Sequence, residues 1–97
     1  MATPEQNVKR EEYVAAFVAE VMAAVQGAYL IAVENGLTLE KLANDMEMTT
    51  QQVDDLIWGR EPLELRTLAE LAHCMGFDIS LELEPMGNMN KPLIAPK

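Results

Sequence analysis

The sequence predicts a small, mainly α-helical protein that ends in one β-strand. A chain of 97 residues suits one domain, and with 49% hydrophobic residues it can form a single core. Apolar residues recur at helical spacings of three and four over most of the chain, whereas strict alternation is confined to residues 77–83. We therefore assign the chain to the all-α class, with the strand as an addition.

The first predicted element is a long helix that begins at Thr3-Pro4-Glu5-Gln6, where Thr3 suits the N-cap and Gln6 closes a capping box. Its apolar residues follow at helical spacing, and they are Val14, Phe17, Val18, Val21, Met22, Val25, Tyr29, Ala32 and Val33. This is one long helix or two collinear helices, with Gly27 as the kink or break, because Gly inside a helix costs about 1 kcal/mol relative to Ala. Gly36 then caps the helix.

The N-terminal part of this helix, within residues 1–28, is longer than the domain needs. Two interpretations are open for it. It folds back on its own domain, or it is a dimer contact with the same helix of a second chain.

Residues 37–60 show the pattern of a helix-turn-helix. Their apolar positions cannot lie on one continuous helix, but two short crossing helices would bury them together. These positions are Leu42, Ala43, Met46, Met48, Val53 and Leu56. We expect Thr38 to cap the first helix and Thr49 to cap the second, with Gln52 completing a capping box. Glu47 occupies a turn position that tends toward positive φ, where a non-Gly residue costs about 1 kcal/mol unless the turn is of another type.

A last helix and a strand complete the prediction. Gly59 ends the second motif helix, and Leu65, Leu68, Leu71, Ala72 and Met75 form one face of a helix that Gly76 closes. Phe77, Ile79, Leu81 and Leu83 then alternate with polar residues. A lone strand is unstable and no second candidate exists, so we expect residues 77–85 to pair with the same strand of a second chain. Residues 86–97 are expected to be a flexible tail.

Charge and composition limit the partners. Sixteen acidic against seven basic residues give a net charge of −9, and residues 37–75 alone carry −5. A negative charge repels the phosphate backbone of DNA. If the protein binds DNA, we therefore expect it to do so as a dimer with few phosphate contacts. The single Cys74 and the lack of a signal peptide pattern favour a reduced, cytoplasmic protein. Glu20, Gln26 and Gly27 interrupt the most apolar stretch, so we expect no membrane span.

The order of elements resembles that of the lambda-repressor-like helix-turn-helix proteins of the Cro and Xre class. The resemblance covers residues 29–85. It includes Asn35-Gly36-Leu37-Thr38 before the motif, Leu42-Ala43 at the helix crossing and Trp58-Gly59-Arg60 after the second helix. It implies a five-helix domain over residues 29–76, a dimerisation strand, and a sequence-specific transcriptional regulator. The C-terminal strand is similar to that of short antitoxin-like and phage-type members.

Carried over by position, the resemblance implies two sets of DNA contacts on this chain. The base contacts fall on Thr49, Thr50, Gln51, Gln52 and Asp55. The phosphate contacts fall on Thr38, Lys41 and Arg60. A further family position with a phosphate-contacting polar side chain is Leu39 in this chain, which cannot form a hydrogen bond. Asp54 and Asp55 depart from the pattern, because carboxylates near phosphates are repulsive.

Metal and catalytic sites are not expected. His73 and Cys74 are adjacent, so on a helix they point about 100° apart, and no other His or Cys exists. No nucleophile–base pair or phosphate-binding loop is present, and we expect neither an enzyme nor a cofactor. The leading hypothesis is a homodimeric repressor of transcription, with an antitoxin that represses its own operon and binds a basic toxin as a specific variant. The alternative is an acidic adaptor that binds protein through the same fold.

Overall fold

The computed structural model describes residues 4–85, with side chains from Val8 onward, and it confirms a mainly helical fold. Four helices follow one another: α1 (Pro4–Glu34), α2 (Leu39–Met46), α3 (Thr50–Ile57) and α4 (Leu65–Met75). Two sequence predictions lie outside this described part: the capping box of Thr3 with the Gln6 side chain, and the tail of residues 86–97.

The five predicted helices are not confirmed: the described residues form four helices, and the first predicted segment is one continuous helix. α1 continues through Gly27 without interruption. Val25 and Ala32 on either side of it are buried in the core, and the Gln26 side chain donates a hydrogen bond of 3.2 Å to the carbonyl of Ile57. Tertiary packing of this face outweighs the roughly 1 kcal/mol that a Gly costs inside a helix.

The termini of α2 and α3 have the predicted caps. The Thr38 hydroxyl accepts from the Lys41 amide at 3.1 Å, and Thr49 forms the capping box with Gln52. Glu47 ends α2 with φ 57° and ψ 43°, which is the left-handed conformation that the sequence position predicts. Its amide donates to the carbonyl of Asn44 at 3.1 Å, so the turn is held by the backbone despite the strained residue.

The core lies where α2, α3 and α4 meet the C-terminal half of α1. Leu42, Val53, Ile57 and Leu71, from three helices, are fully buried. Trp58 is 39% exposed, and its ring meets that of Tyr29 edge-on with 6.3 Å between centroids. These contacts fix α3 against the other helices and leave its opposite face in solvent.

Residues 77–85 form no strand within the described part of the chain. Phe77 packs against the core, and its amide donates to the carbonyl of Ala72 at 2.9 Å. Ile79, Leu81 and Leu83 are exposed. A strand needs a second edge for its hydrogen bonds, so alternation alone does not produce one in a single chain.

The N-terminal half of α1 does not fold back on the domain. All side chains from Val8 to Glu20 are exposed, including Tyr13 at 64% and Phe17 at 48%. The radius of gyration is 17.0 Å, against about 12 Å for a compact domain of this length. By length and composition alone, Val8–Glu34 is also apolar enough to cross a membrane.

Candidate nucleic-acid interface

The outer face of α3 is the candidate interface, and packing of the inner face determines its orientation. Val53, Leu56 and Ile57 are buried. The remaining side chains point outward as fully or partly exposed groups, and they are Thr50, Gln51, Gln52, Asp54 and Asp55. The polar face belongs to the second of two short helices that a tight turn joins.

Two of the predicted base contacts are engaged in the helix cap. The Thr49 hydroxyl accepts from the Gln52 amide at 3.1 Å, and the Gln52 side-chain oxygen accepts from the Thr49 amide at 2.8 Å. These bonds satisfy backbone donors that the first helical turn otherwise leaves without partners. Thr50 and Gln51 take no part in this capping box.

A second polar network joins side chains of α3 to Arg60, which follows the helix. The Gln51 side-chain amide donates to one Asp55 carboxylate oxygen at 2.8 Å, and Arg60 Nε donates to the same oxygen at 2.8 Å. Arg60 also forms an ion pair with Asp54. We name these four side chains the Arg60 network. It brings the candidate base contacts Gln51 and Asp55 together with the candidate phosphate contact Arg60.

The Arg60 network changes the proton affinities of its members. The hydrogen bonds from Arg60 and, less strongly, Gln51 lower the pKa of Asp55 from its usual 3.8. The hydrogen bond to Asp55 raises the pKa of Arg60. At neutral pH Asp55 is therefore ionised and is paired with the Arg60 guanidinium.

The other basic side chains of residues 37–75 also lie beside carboxylates. Lys41 Nζ is 3.1 Å from Asp45 Oδ2, and Arg66 Nε is 3.8 Å from Glu70 Oε2. All of these pairs are partly or largely exposed, and exposed ion pairs contribute little to stability. A phosphate group can therefore compete for Lys41 or Arg60 without unfolding the domain.

A groove of about 520 Å³ borders α3 on the side of the α3–α4 loop. Its walls combine apolar side chains with carboxylates, and its lining residues are Met48, Gln52, Asp55, Leu56, Glu61, Pro62, Glu64 and Thr67. This groove is not apparent from the sequence, because residues 48–56 and residues 61–67 line it together only in the folded chain. Its carboxylates favour a cationic group over a phosphate.

Comparison of the chain with protein-family models, curated proteins and solved structures finds no match. The resemblance to the Cro and Xre class therefore stays an expectation from the sequence. The structure describes two eight-residue helices, a left-handed residue at the turn between them and a capping box at the start of α3.

Proposed function

We propose that the protein is a sequence-specific DNA-binding regulator that represses transcription as a homodimer. The observation that carries the proposal is the geometry of α2 and α3. Two short helices are joined by a tight turn, the inner face of α3 is buried, and its first turn exposes polar side chains. This arrangement suits a recognition helix in a major groove.

Thr50 and Gln51 are the proposed direct base contacts, with Thr49 and Gln52 beside them. A Gln side chain bonds adenine through two hydrogen bonds, and Asp55 could accept from cytosine N4. The Gln51 side-chain nitrogen carries two hydrogens, so one can remain donated to Asp55 while the other and the side-chain oxygen contact adenine. The hydrogen bond to Asp55 would then hold Gln51 in place for the base contact.

Thr38, Lys41 and Arg60 are the proposed phosphate contacts. Lys41 and Arg60 are the only basic members of this set, so a dimer would neutralise about four phosphates. The logarithm of the binding constant would then fall with the logarithm of salt concentration with a slope of about −4 or shallower. This weak dependence distinguishes the proposed mode from binding by a basic surface.

The proposed dimer explains how such an acidic chain could hold DNA. Two recognition helices spaced by about one turn of DNA, roughly 34 Å, would read a palindromic operator. The candidate interfaces are α1 and the segment that carries Phe77, Ile79, Leu81 and Leu83. An antitoxin that represses its own operon remains the specific variant.

Selection from a random double-stranded DNA pool at low salt tests the proposal. We expect one palindromic sequence to be enriched. Gln51→Ala should weaken binding to it by about 5- to 150-fold, the effect of losing one bidentate base contact. His73→Ala, an exposed polar substitution on α4, is the matched control and should bind as the native chain does. A pool without any enriched sequence would overturn the proposal.

The second candidate function is an adaptor that binds a basic protein segment. The paired state of Lys41, Arg60 and Arg66, and the carboxylates along the groove, favour it. Titration calorimetry with a synthetic Arg-rich peptide at low salt tests this function. We expect saturable binding that Glu61→Gln with Glu64→Gln weakens, whereas binding to the DNA pool would show no sequence preference.

A further inference from the structure

The side-chain amide group of Gln51 has a defined orientation on the outer face of α3. Its nitrogen donates a hydrogen bond of 2.8 Å to Asp55 Oδ1. An ionised carboxylate only accepts hydrogen bonds, so the amide nitrogen and not the amide oxygen must face it. This bond leaves the second N–H and the side-chain oxygen of Gln51 for a further partner.

Arg60 holds the Asp55 carboxylate in the position from which it accepts this bond. Arg60 Nε donates to the same Oδ1 atom at 2.8 Å. The backbone supports the arrangement, because the Arg60 amide donates to the Asp55 carbonyl at 2.8 Å. The Asp55 side chain is 23% exposed, against 53% for Arg60. A side-chain contact and a backbone contact to Arg60 therefore fix Asp55 beside Gln51.

These contacts are compatible with a phosphate contact by Arg60. Its guanidinium group uses Nε for Asp55 and Nη2 for Asp54, and the N–H groups of Nη1 are used by neither bond. Nη1 can therefore donate to DNA while Nε stays on Asp55. Arg60 can bind a phosphate without releasing the carboxylate.

The orientation of the Gln51 amide group matters because adenine and guanine differ in the major groove. Adenine presents the N7 acceptor and the N6 donor, whereas guanine presents the N7 and O6 acceptors. With one N–H donated to Asp55, Gln51 offers one donor and one acceptor, which match adenine. A Gln51 free of Asp55 could turn both N–H groups toward the two acceptors of guanine.

We propose that Asp55, held by Arg60, is a positioning residue that makes Gln51 select adenine over guanine. The inference rests on the proposed function, because it requires Gln51 to meet a base. In this role Asp55 acts through Gln51 and does not itself touch the base that Gln51 reads. Its negative charge repels the phosphates, so Asp55 lowers the affinity for DNA while it raises the base selectivity.

Two duplexes test the proposal after selection from the random pool. The first is the enriched sequence, and the second has guanine in place of the adenine whose enrichment is lost with Gln51→Ala. We expect the native chain to prefer adenine by about 5- to 150-fold. Asp55→Ala should bind both duplexes with nearly equal affinity, and the guanine duplex more tightly than the native chain does. An adenine preference that survives Asp55→Ala, or native enrichment of guanine at this position, would overturn the proposal.

Two control variants separate positioning from charge. Asp55→Asn removes the charge but keeps an oxygen that can accept from Gln51, so it should keep the preference for adenine. Asp45→Ala also removes a carboxylate that faces a basic side chain, since Asp45 pairs with Lys41 outside the Arg60 network. It should keep the preference as well. Loss of the preference in either control would assign the effect to charge and contradict the positioning role.

The Gln51 side-chain amide signals, followed by NMR without DNA, test the hydrogen bond itself. We expect Asp55→Ala to shift these signals and Asp45→Ala to leave them in place. Unchanged signals in Asp55→Ala would mean that Asp55 does not hold Gln51 in solution. A pool without an enriched sequence removes the proposed function and this inference with it. An enriched sequence with an adenine preference that is independent of Asp55 removes the inference alone.

Discussion

The two faces of α3 are held by different kinds of contact. On the inner face, Val53 and Ile57 are fully buried among three other helices. On the outer face, the Arg60 network consists of hydrogen bonds and ion pairs in exposed positions. Burial of apolar side chains contributes strongly to the free energy of folding. Exposed polar contacts contribute little, and contacts with a ligand can replace them. The inner face thus supplies stability, and the outer face is available for recognition.

Ile57→Ala should give the largest effect, because it removes fully buried methyl and methylene groups. We expect the free energy of unfolding to fall by about 2–5 kcal/mol, measured by urea denaturation. Gln51→Ala on the outer face is the comparison and should change it by less than about 0.5 kcal/mol. Equal losses from the two substitutions would break the distinction between the faces.

Thr49→Ala tests the N-terminal cap of α3. The substitution removes the hydroxyl that accepts from the Gln52 amide at 3.1 Å and so opens the capping box. The expected loss of stability is about 1 kcal/mol in the same denaturation experiment. Thr50→Ala, one position later and outside the cap, serves as the control and should have little effect. If Thr50→Ala costs as much, the capping box is not the reason.

Glu47→Gly should stabilise the protein by about 0.5–1 kcal/mol. Glu47 has φ 57°, a conformation that Gly adopts without the steric cost of a Cβ atom. Glu47→Ala removes the same carboxylate but keeps the Cβ, so it should not reproduce the gain. Thermal unfolding of the two variants separates relief of strain from loss of charge. A gain shared by both would assign the effect to charge.

Sequence reasoning succeeded where the structure depends on local rules. The caps at Thr38 and Thr49, the left-handed Glu47 and the buried Leu42 follow from residue type and spacing. Each of these requires only a residue and its near neighbours along the chain.

The features that sequence reasoning missed depend on contacts in space. The sequence left one long helix and two collinear helices open, and packing of α1 against α3 and α4 is what favours the single helix through Gly27. Arg60 and Asp54 are six residues apart and meet only because the chain turns back after α3. Their charges had suggested separate roles, as a phosphate contact and as a repulsive group. The sequence therefore predicted which residues make up the candidate site, but it did not predict the hydrogen bonds and ion pairs among them.

The smallest expected effect on the outer face of α3 is the loss of its hydrogen bonds when Asp55 is protonated. The folded-state pKa is lowered mainly by the hydrogen bond from Arg60 and then by that from Gln51. The contribution of this carboxylate to stability is therefore fully present above the usual value of 3.8, and it is lost as pH falls through the lower folded-state pKa. Carboxyl chemical shifts followed by NMR should show Asp55 titrating below that usual value. Arg60→Gln should move the midpoint upward, and an unchanged midpoint would mean that Arg60 does not hold Asp55 in solution.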